Sequence, residues 1–245
     1  MVELFNFSRG GGVVLFSLCH RLWLVSALGL IVWVALAARR HDYALRAIGL
    51  SLMIIELSRV TALYFGGMLD RGFLPLHLCG VAIYLSALHA ITENEMIGEL
   101  IFSTLMPGSV CALLFPDWLS YSPTSIIFLS SFGVHTLLCA YGTAMLSSGS
   151  FSPDARRLPR CFLFLIIYAV IIYFVDRLFD VNYLFLINPV KGSPLEWFGT
   201  ILPWYALGYF PSLFVIWAVI YGVWALAHKK HPPKRQVRSL SKKSI

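Results

Sequence analysis

Long apolar stretches, separated by short polar or helix-breaking interruptions, organise this chain. A membrane-spanning helix needs about 20 mostly apolar residues, and seven stretches meet that length: 18–38, 44–66, 73–91, 97–115, 124–147, 160–180 and 203–227. The interruptions have physical causes. ARRHD (38–42) and RRLPR (156–160) are charged, and FPDWLSYSP (115–123) carries two prolines and an aspartate. In TENE (92–95), Thr92 and Asn94 are N-cap residue types, and Glu95 puts an anion in the first turn of the helix that follows. The pattern predicts an all-α fold, a polytopic transmembrane helix bundle of seven spans. Six spans result if 97–115, weakened by Pro107 and Gly108, does not cross.

Between spans six and seven the pattern is broken. Pro189, Pro194 and Pro203 forbid a continuous helix across 176–210. Non-helical backbone at membrane depth is tolerated only when it is buried in protein or lines a cavity, which predicts a re-entrant lid. The other expectation is an interfacial loop held by Trp197, Trp204 and Tyr205 as an aromatic belt. A belt leaves Asn182 and Tyr183 without a role.

Composition supports the membrane. Of 245 residues, 58% are hydrophobic and 13% charged, against about 25% charged in ordinary soluble domains. The net charge of +7 is concentrated: seven of the nineteen Lys and Arg follow residue 228. Residues 1–228 read as a single transmembrane domain and 229–245 as a basic, disordered cytoplasmic tail. Anionic lipid head groups would attract that tail by roughly 1 kcal/mol per basic residue; a topology signal alone also explains it. Membrane lipids are the expected partners, and nucleic acid is not needed to explain the charge. The start, MVELFNFSRGG, is short, so the first span reads as retained rather than cleaved. Arg39 and Arg40, then Arg156, Arg157 and Arg160, sit in alternate loops. The positive-inside rule then puts the N-terminus outside and the C-terminus in the cytoplasm.

Charged and titratable residues within the spans mark candidate chemistry, because each costs about 2.5–3.5 kcal/mol to insert. Glu56 and Arg59 are three apart on one helix face and can pair, either as a structural lock or as a binding or relay pair. His77 lies near the outer end of span three and His135 near the middle of span five; His20 opens span one. Each is alone compatible with an interhelical hydrogen bond, and together with Glu56 and Arg59 they suggest a pocket in the outer half of the bundle. His89, His228 and His231 fall near the opposite face, where snorkelling or solvation accounts for them. The five cysteines (Cys19, Cys79, Cys111, Cys139, Cys161) show neither a disulfide framework nor metal-ligand spacing. No metal or cofactor is expected, and no glycine-rich phosphate loop is present.

LPLHLC (74–79), FGVH (132–135), NYLFL…P (182–189) and LPWY (202–205), with His20 and Glu56, resemble the YwaF-like bacterial integral membrane proteins. The likeness covers about residues 15–225 and implies a bacterial inner-membrane location. That family is distantly similar to an animal transmembrane acyltransferase that moves polyunsaturated acyl chains between phospholipids using a cysteine and a histidine. The resemblance assigns the histidine to His135. At the position of the cysteine this chain has Leu76, and Cys79 is one turn away.

The resulting expectation is a lipid-active enzyme, for acyl transfer or hydrolysis. His135, His77, Glu56 and Cys79 are its catalytic candidates; Arg59, His20, Asn182, Tyr183 and Tyr205 are its substrate-binding candidates. A Ser or Thr nucleophile, or an activated water, is equally open. The alternatives are a small-molecule transporter or binding protein using the same pocket, and a structural or accessory membrane protein.

Overall fold

The computed structural model describes residues 12–41 and 43–228; the amphiphilic start and the basic tail lie outside the described residues. The helices are α1 (Leu18–Ala38), α2 (Ala44–Phe65), α3 (Leu78–Thr92), α4 (Glu95–Leu100), α5 (Met106–Leu114), α6 (Ile126–Ser147), α7 (Leu158–Phe179), α8 (Pro194–Ile201) and α9 (Tyr209–His228). A π-helical turn, Ile101–Leu105, joins α4 to α5, so Glu95–Leu114 forms one span. Seven helices are long and apolar enough to cross a membrane. The fourth segment is one of them. No strand occurs among the described residues.

The fourth span crosses despite Pro107 because its backbone is repaired from outside. Pro107 has no N–H, and it stands four residues after Ser103, where an α-helix would bond the Ser103 carbonyl. The indole Nε1–H of Trp217, on α9, donates to that carbonyl at 2.9 Å. A π-helical turn beside a proline is a recognised way of absorbing such a break.

The α6 helix is the centre of the bundle, packed against α1, α2, α3 and α5. Small residues on it permit close approach, as in membrane helix packing generally. A Cβ on Gly142 would stand 2.5 Å from the Met106 sulfur. In contrast, α7 and α9 lie at the periphery and expose Leu163, Ile167, Phe174, Val215, Val219 and Leu226. These helices are apolar on every face, as lipid contact requires.

Asn94 caps α4, accepting from the amides of Met96 (2.9 Å) and Ile97 (3.2 Å), so α3 and α4 are separated by two residues only. Alternation of the spans gathers Arg39, Arg40, Arg156, Arg157 and Arg160 at one end. The opposite end carries the segments 66–77, 115–125 and 180–208.

Candidate functional site

His77 sits at the N-cap of α3, not one turn inside it. The helix begins at Leu78 because Pro75 folds back over its first turn. A Cβ at Gly80 would lie 2.7 Å from the Pro75 carbonyl oxygen, so only glycine fits there. From this extended position His77 Nδ1–H donates to the Tyr183 carbonyl at 2.7 Å. A carbonyl can only accept, so Nδ1 carries a proton, and in the neutral ring Nε2 is the acceptor. The preceding carbonyl, of Leu76, accepts from Tyr168 Oη at 2.6 Å.

His135, buried on α6, repeats this arrangement. Its Nδ1–H donates to the Ser131 carbonyl one turn back, at 2.7 Å. Its ring stacks on Trp118, centroids 4.7 Å apart. No other hydrogen bond holds either ring, so both Nε2 atoms are open among the described residues. The two imidazoles are close enough to feel each other's charge.

Glu56 and Arg59 pair as their spacing predicts. Arg59 Nε donates to Oε2 at 2.9 Å and Nη2 to Oε1 at 2.6 Å, a two-pronged contact. Nη2 also reaches the Phe73 carbonyl at 3.3 Å. Cys79, half-buried on the first turn of α3, lies within electrostatic reach of Glu56, Arg59 and Asp117. His77 and Cys79 lie at the end of the bundle away from the basic loops, and His135, Glu56 and Arg59 sit deeper, within their helices. None of these five lines either of the two cavities described next.

One cavity, of about 500 Å³, opens beside Asp176, Asp180, Asn182 and Asn188. The other, of about 870 Å³, lies along α2 against Leu57, Thr61 and Phe65.

The broken connection is seen in the segment 182–188. Its backbone is not helical, and side chains satisfy its carbonyls in turn. Tyr183 O accepts from His77, Leu184 O from Tyr209 (3.0 Å), Phe185 O from Tyr205 (2.5 Å), Leu186 O from Trp204 Nε1 (3.1 Å) and Asn188 O from Asn182 Nδ2 (2.8 Å). Asn182 Oδ1 accepts from Ile187 N at 3.1 Å, and the Tyr183 phenol donates to the Arg71 carbonyl. The polar atoms of Asn182, Tyr183 and Tyr205 thus hold this segment in place. Trp204 acts as a hydrogen-bond donor here; Trp197, well exposed, fits a belt position.

His20 is fully buried. Its Nδ1 accepts from Phe16 N (3.0 Å), and so Nε2–H donates to Leu113 O (3.0 Å). Both nitrogens are engaged, and His20 ties α1 to the end of α5. His89 is a correction: it is neither snorkelling nor solvated. It is 2% exposed, with Nδ1 2.8 Å from the Tyr141 hydroxyl on α6. It is buried because the two-residue link to α4 brings Gly98 against its ring.

Two buried carboxylates lie outside the residues that the sequence singled out. Asp176, completely buried in the last turn of α7, accepts from Tyr183 N at 2.9 Å through Oδ1, while Oδ2 has no hydrogen-bond partner among the described residues. Glu99, also completely buried, accepts at Oε2 from Asp154 N (3.0 Å) and Arg157 Nη1 (3.2 Å), and at Oε1 from the Tyr221 hydroxyl. Arg157 also pairs with Glu95. An acid inside an apolar span was the available signal for Glu99.

Fold and site together define a multi-pass helical membrane protein with a cluster of polar side chains at the end opposite its basic loops. The sequence profile of the TMEM164 family matches residues 10–221, and the chain belongs to that transmembrane family. No curated protein matches the chain, and no solved structure does.

Proposed function

We propose that the protein is a lipid-active membrane enzyme that cleaves or transfers an acyl ester. The observation carrying this reading is the pair of locked imidazoles. His77 and His135 each give Nδ1–H to a backbone carbonyl, and each leaves Nε2 as an open base among the described residues. An imidazole fixed in this tautomer is prepared to remove a proton from a nucleophile and to return it to a leaving group. His135 is the general base in this reading, and His77 the second proton carrier. The Cys79 thiol, or a water, is the nucleophile. In the step, the base takes the nucleophile's proton as the new bond to the acyl carbon forms. The departing alkoxide then recovers that proton, and water or a second lipid alcohol takes the acyl group. Glu56 fixes Arg59, whose Nη1 has no partner among the described residues and could meet an anionic group such as a lipid phosphate. The resemblance to YwaF-like proteins and to an animal phospholipid acyltransferase supports this substrate class. Leu76 in place of a cysteine makes Cys79 or water the choice to test.

The expected orientation has the His77 end outside and the basic loops in the cytoplasm, which suits a bacterial inner membrane. Arg157 is engaged with Glu95 and Glu99, so Arg39, Arg40, Arg156 and Arg160 carry the positive-inside signal.

The test is direct. Purified protein in mixed phospholipid vesicles should change the lipid profile, read by mass spectrometry as acyl exchange or released fatty acid. His135→Ala should abolish the change in protein that still folds, and Cys79→Ala decides between thiol and water. An unchanged lipid profile with folded wild-type protein sinks the enzyme reading.

A further inference from the structure

Asp176 is a buried acid for which the proposed chemistry has so far no use. Its Oδ1 accepts from the Tyr183 amide, and the Leu184 amide lies beside the same carboxylate. A neutral serine or asparagine would serve that purpose. The carboxylate instead buries a second oxygen without a partner among the described residues, an arrangement native proteins rarely keep without a reason. The next contact supplies one. Tyr183 gives its amide hydrogen to Asp176 and its carbonyl oxygen to His77 Nδ1–H. The Tyr183 phenol is anchored separately, on the Arg71 carbonyl, and its ring stands edge-on to the imidazole with centroids 5.1 Å apart. Tyr183 is therefore pinned at its amide, its carbonyl and its hydroxyl. The rings packed against His77 are those of Tyr183 and Phe185, with centroids 5.1 and 6.0 Å away.

We infer that Asp176 is a positioning residue for His77, acting through Tyr183: the carboxylate orients the segment, the segment's carbonyl selects the Nδ1–H tautomer, and His77 Nε2 is thereby kept basic. This assignment rests on reading His77 as a proton carrier, and its test separates the two. Full-length protein labelled with ¹⁵N-histidine is placed in lipid nanodiscs, and the His77 signals are assigned by their loss in His77→Gln. Wild type should show the Nδ1–H tautomer. Asp176→Ala, which releases the Tyr183 amide, should convert His77 to a mixture of tautomers. Asp176→Asn keeps an oxygen for that amide, so both the tautomer and turnover should persist. An unchanged His77 spectrum in Asp176→Ala overturns the inference. Should Asp176→Ala not fold, loss of the Nδ1–H tautomer in Asp176→Asn overturns it instead. A tautomer shift in a protein that acts on no lipid keeps the positioning role and removes the catalytic reading. Turnover with an unmoved tautomer does the reverse. A purely folding role would lower the melting temperature of Asp176→Ala and leave the His77 tautomer unmoved.

Discussion

The two ends of the bundle hold similar side chains in opposite states of completion. At the basic end Glu99 is saturated: both oxygens are used, by Arg157, Tyr221 and the Asp154 amide. At the other end His77 and His135 are each held by one nitrogen and Asp176 by one oxygen, and Arg59 Nη1 has no partner among the described residues. Buried polar groups are normally satisfied in full. A cluster that closes on itself locks helices together. A cluster with open valences in oriented positions has interactions left for a ligand. The difference teaches that ionisable residues in a span do not by themselves mark function; the unused atoms do.

Breaking the closed cluster should give the largest effect on stability. Glu99→Ala leaves the Arg157 guanidinium, the Tyr221 hydroxyl and the Asp154 amide without their acceptor. Removing one partner of a buried pair costs about 3–5 kcal/mol. A marked fall in melting temperature in detergent is expected, with Glu99→Gln falling less because its amide oxygen still accepts. If Glu99→Ala melts like wild type, the basic end is not the structural lock that its bonding suggests.

The open cluster should respond in the opposite way. Replacing His135 by Ala deletes one hydrogen bond made within its own helix, to Ser131, and the stack on Trp118, and should lower melting by less than Glu99→Ala does. Turnover of lipid should fall by about 10²–10⁴, the usual contribution of a general base. A large stability loss with modest activity loss would reverse the comparison and make this end structural too.

The sequence made the spans legible because each is an unbroken apolar run. It made Asn94 legible as a cap and Glu56–Arg59 as a pair because both signals are local. The Glu99 lock was not legible. Its partners Arg157 and Tyr221 lie 58 and 122 residues away, and no spacing rule connects them. The rule that singled out Glu56 applied equally to Glu99, but the surrounding segment was the one whose crossing was in question. Asp176 was read as part of a connection because the helix limit was uncertain at that point; it falls in the last turn of α7. The carbonyl-capping roles of Asn182, Tyr183 and Tyr205 follow from a non-helical backbone that only the three-dimensional structure displays. The position of His77 was misjudged by several residues, since the apolar run starts at 73 whereas the helix starts at Leu78.

That offset gives a prediction of intermediate size. Gly80→Ala places a Cβ against the Pro75 carbonyl, and backbone cannot yield as a flexible side chain can. Overpacking of this kind costs about 1–3 kcal/mol. The shift should displace 75–77 and lengthen the His77–Tyr183 bond, so activity should drop as well as stability. Full activity in Gly80→Ala would show that the open end tolerates movement of His77 and needs less exact placement than proposed.

The smallest effect tests whether repair of the backbone is separable from both clusters. Trp217→Phe keeps the ring against Phe162 and Phe214 but loses the donor to the Ser103 carbonyl. One hydrogen bond is worth about 1 kcal/mol. Pro107→Ala returns an amide hydrogen four residues after Ser103, where the helix itself can use it. In that background Trp217→Phe should cost close to nothing. The difference between the two backgrounds, measured as a double-mutant cycle on unfolding, should therefore be about the whole bond. Equal costs in both would mean that the indole does not substitute for the missing amide. The attachment of α9 near the middle of the bundle would then depend on ring packing, and only the Tyr221–Glu99 contact would tie this helix to the closed cluster by a polar bond.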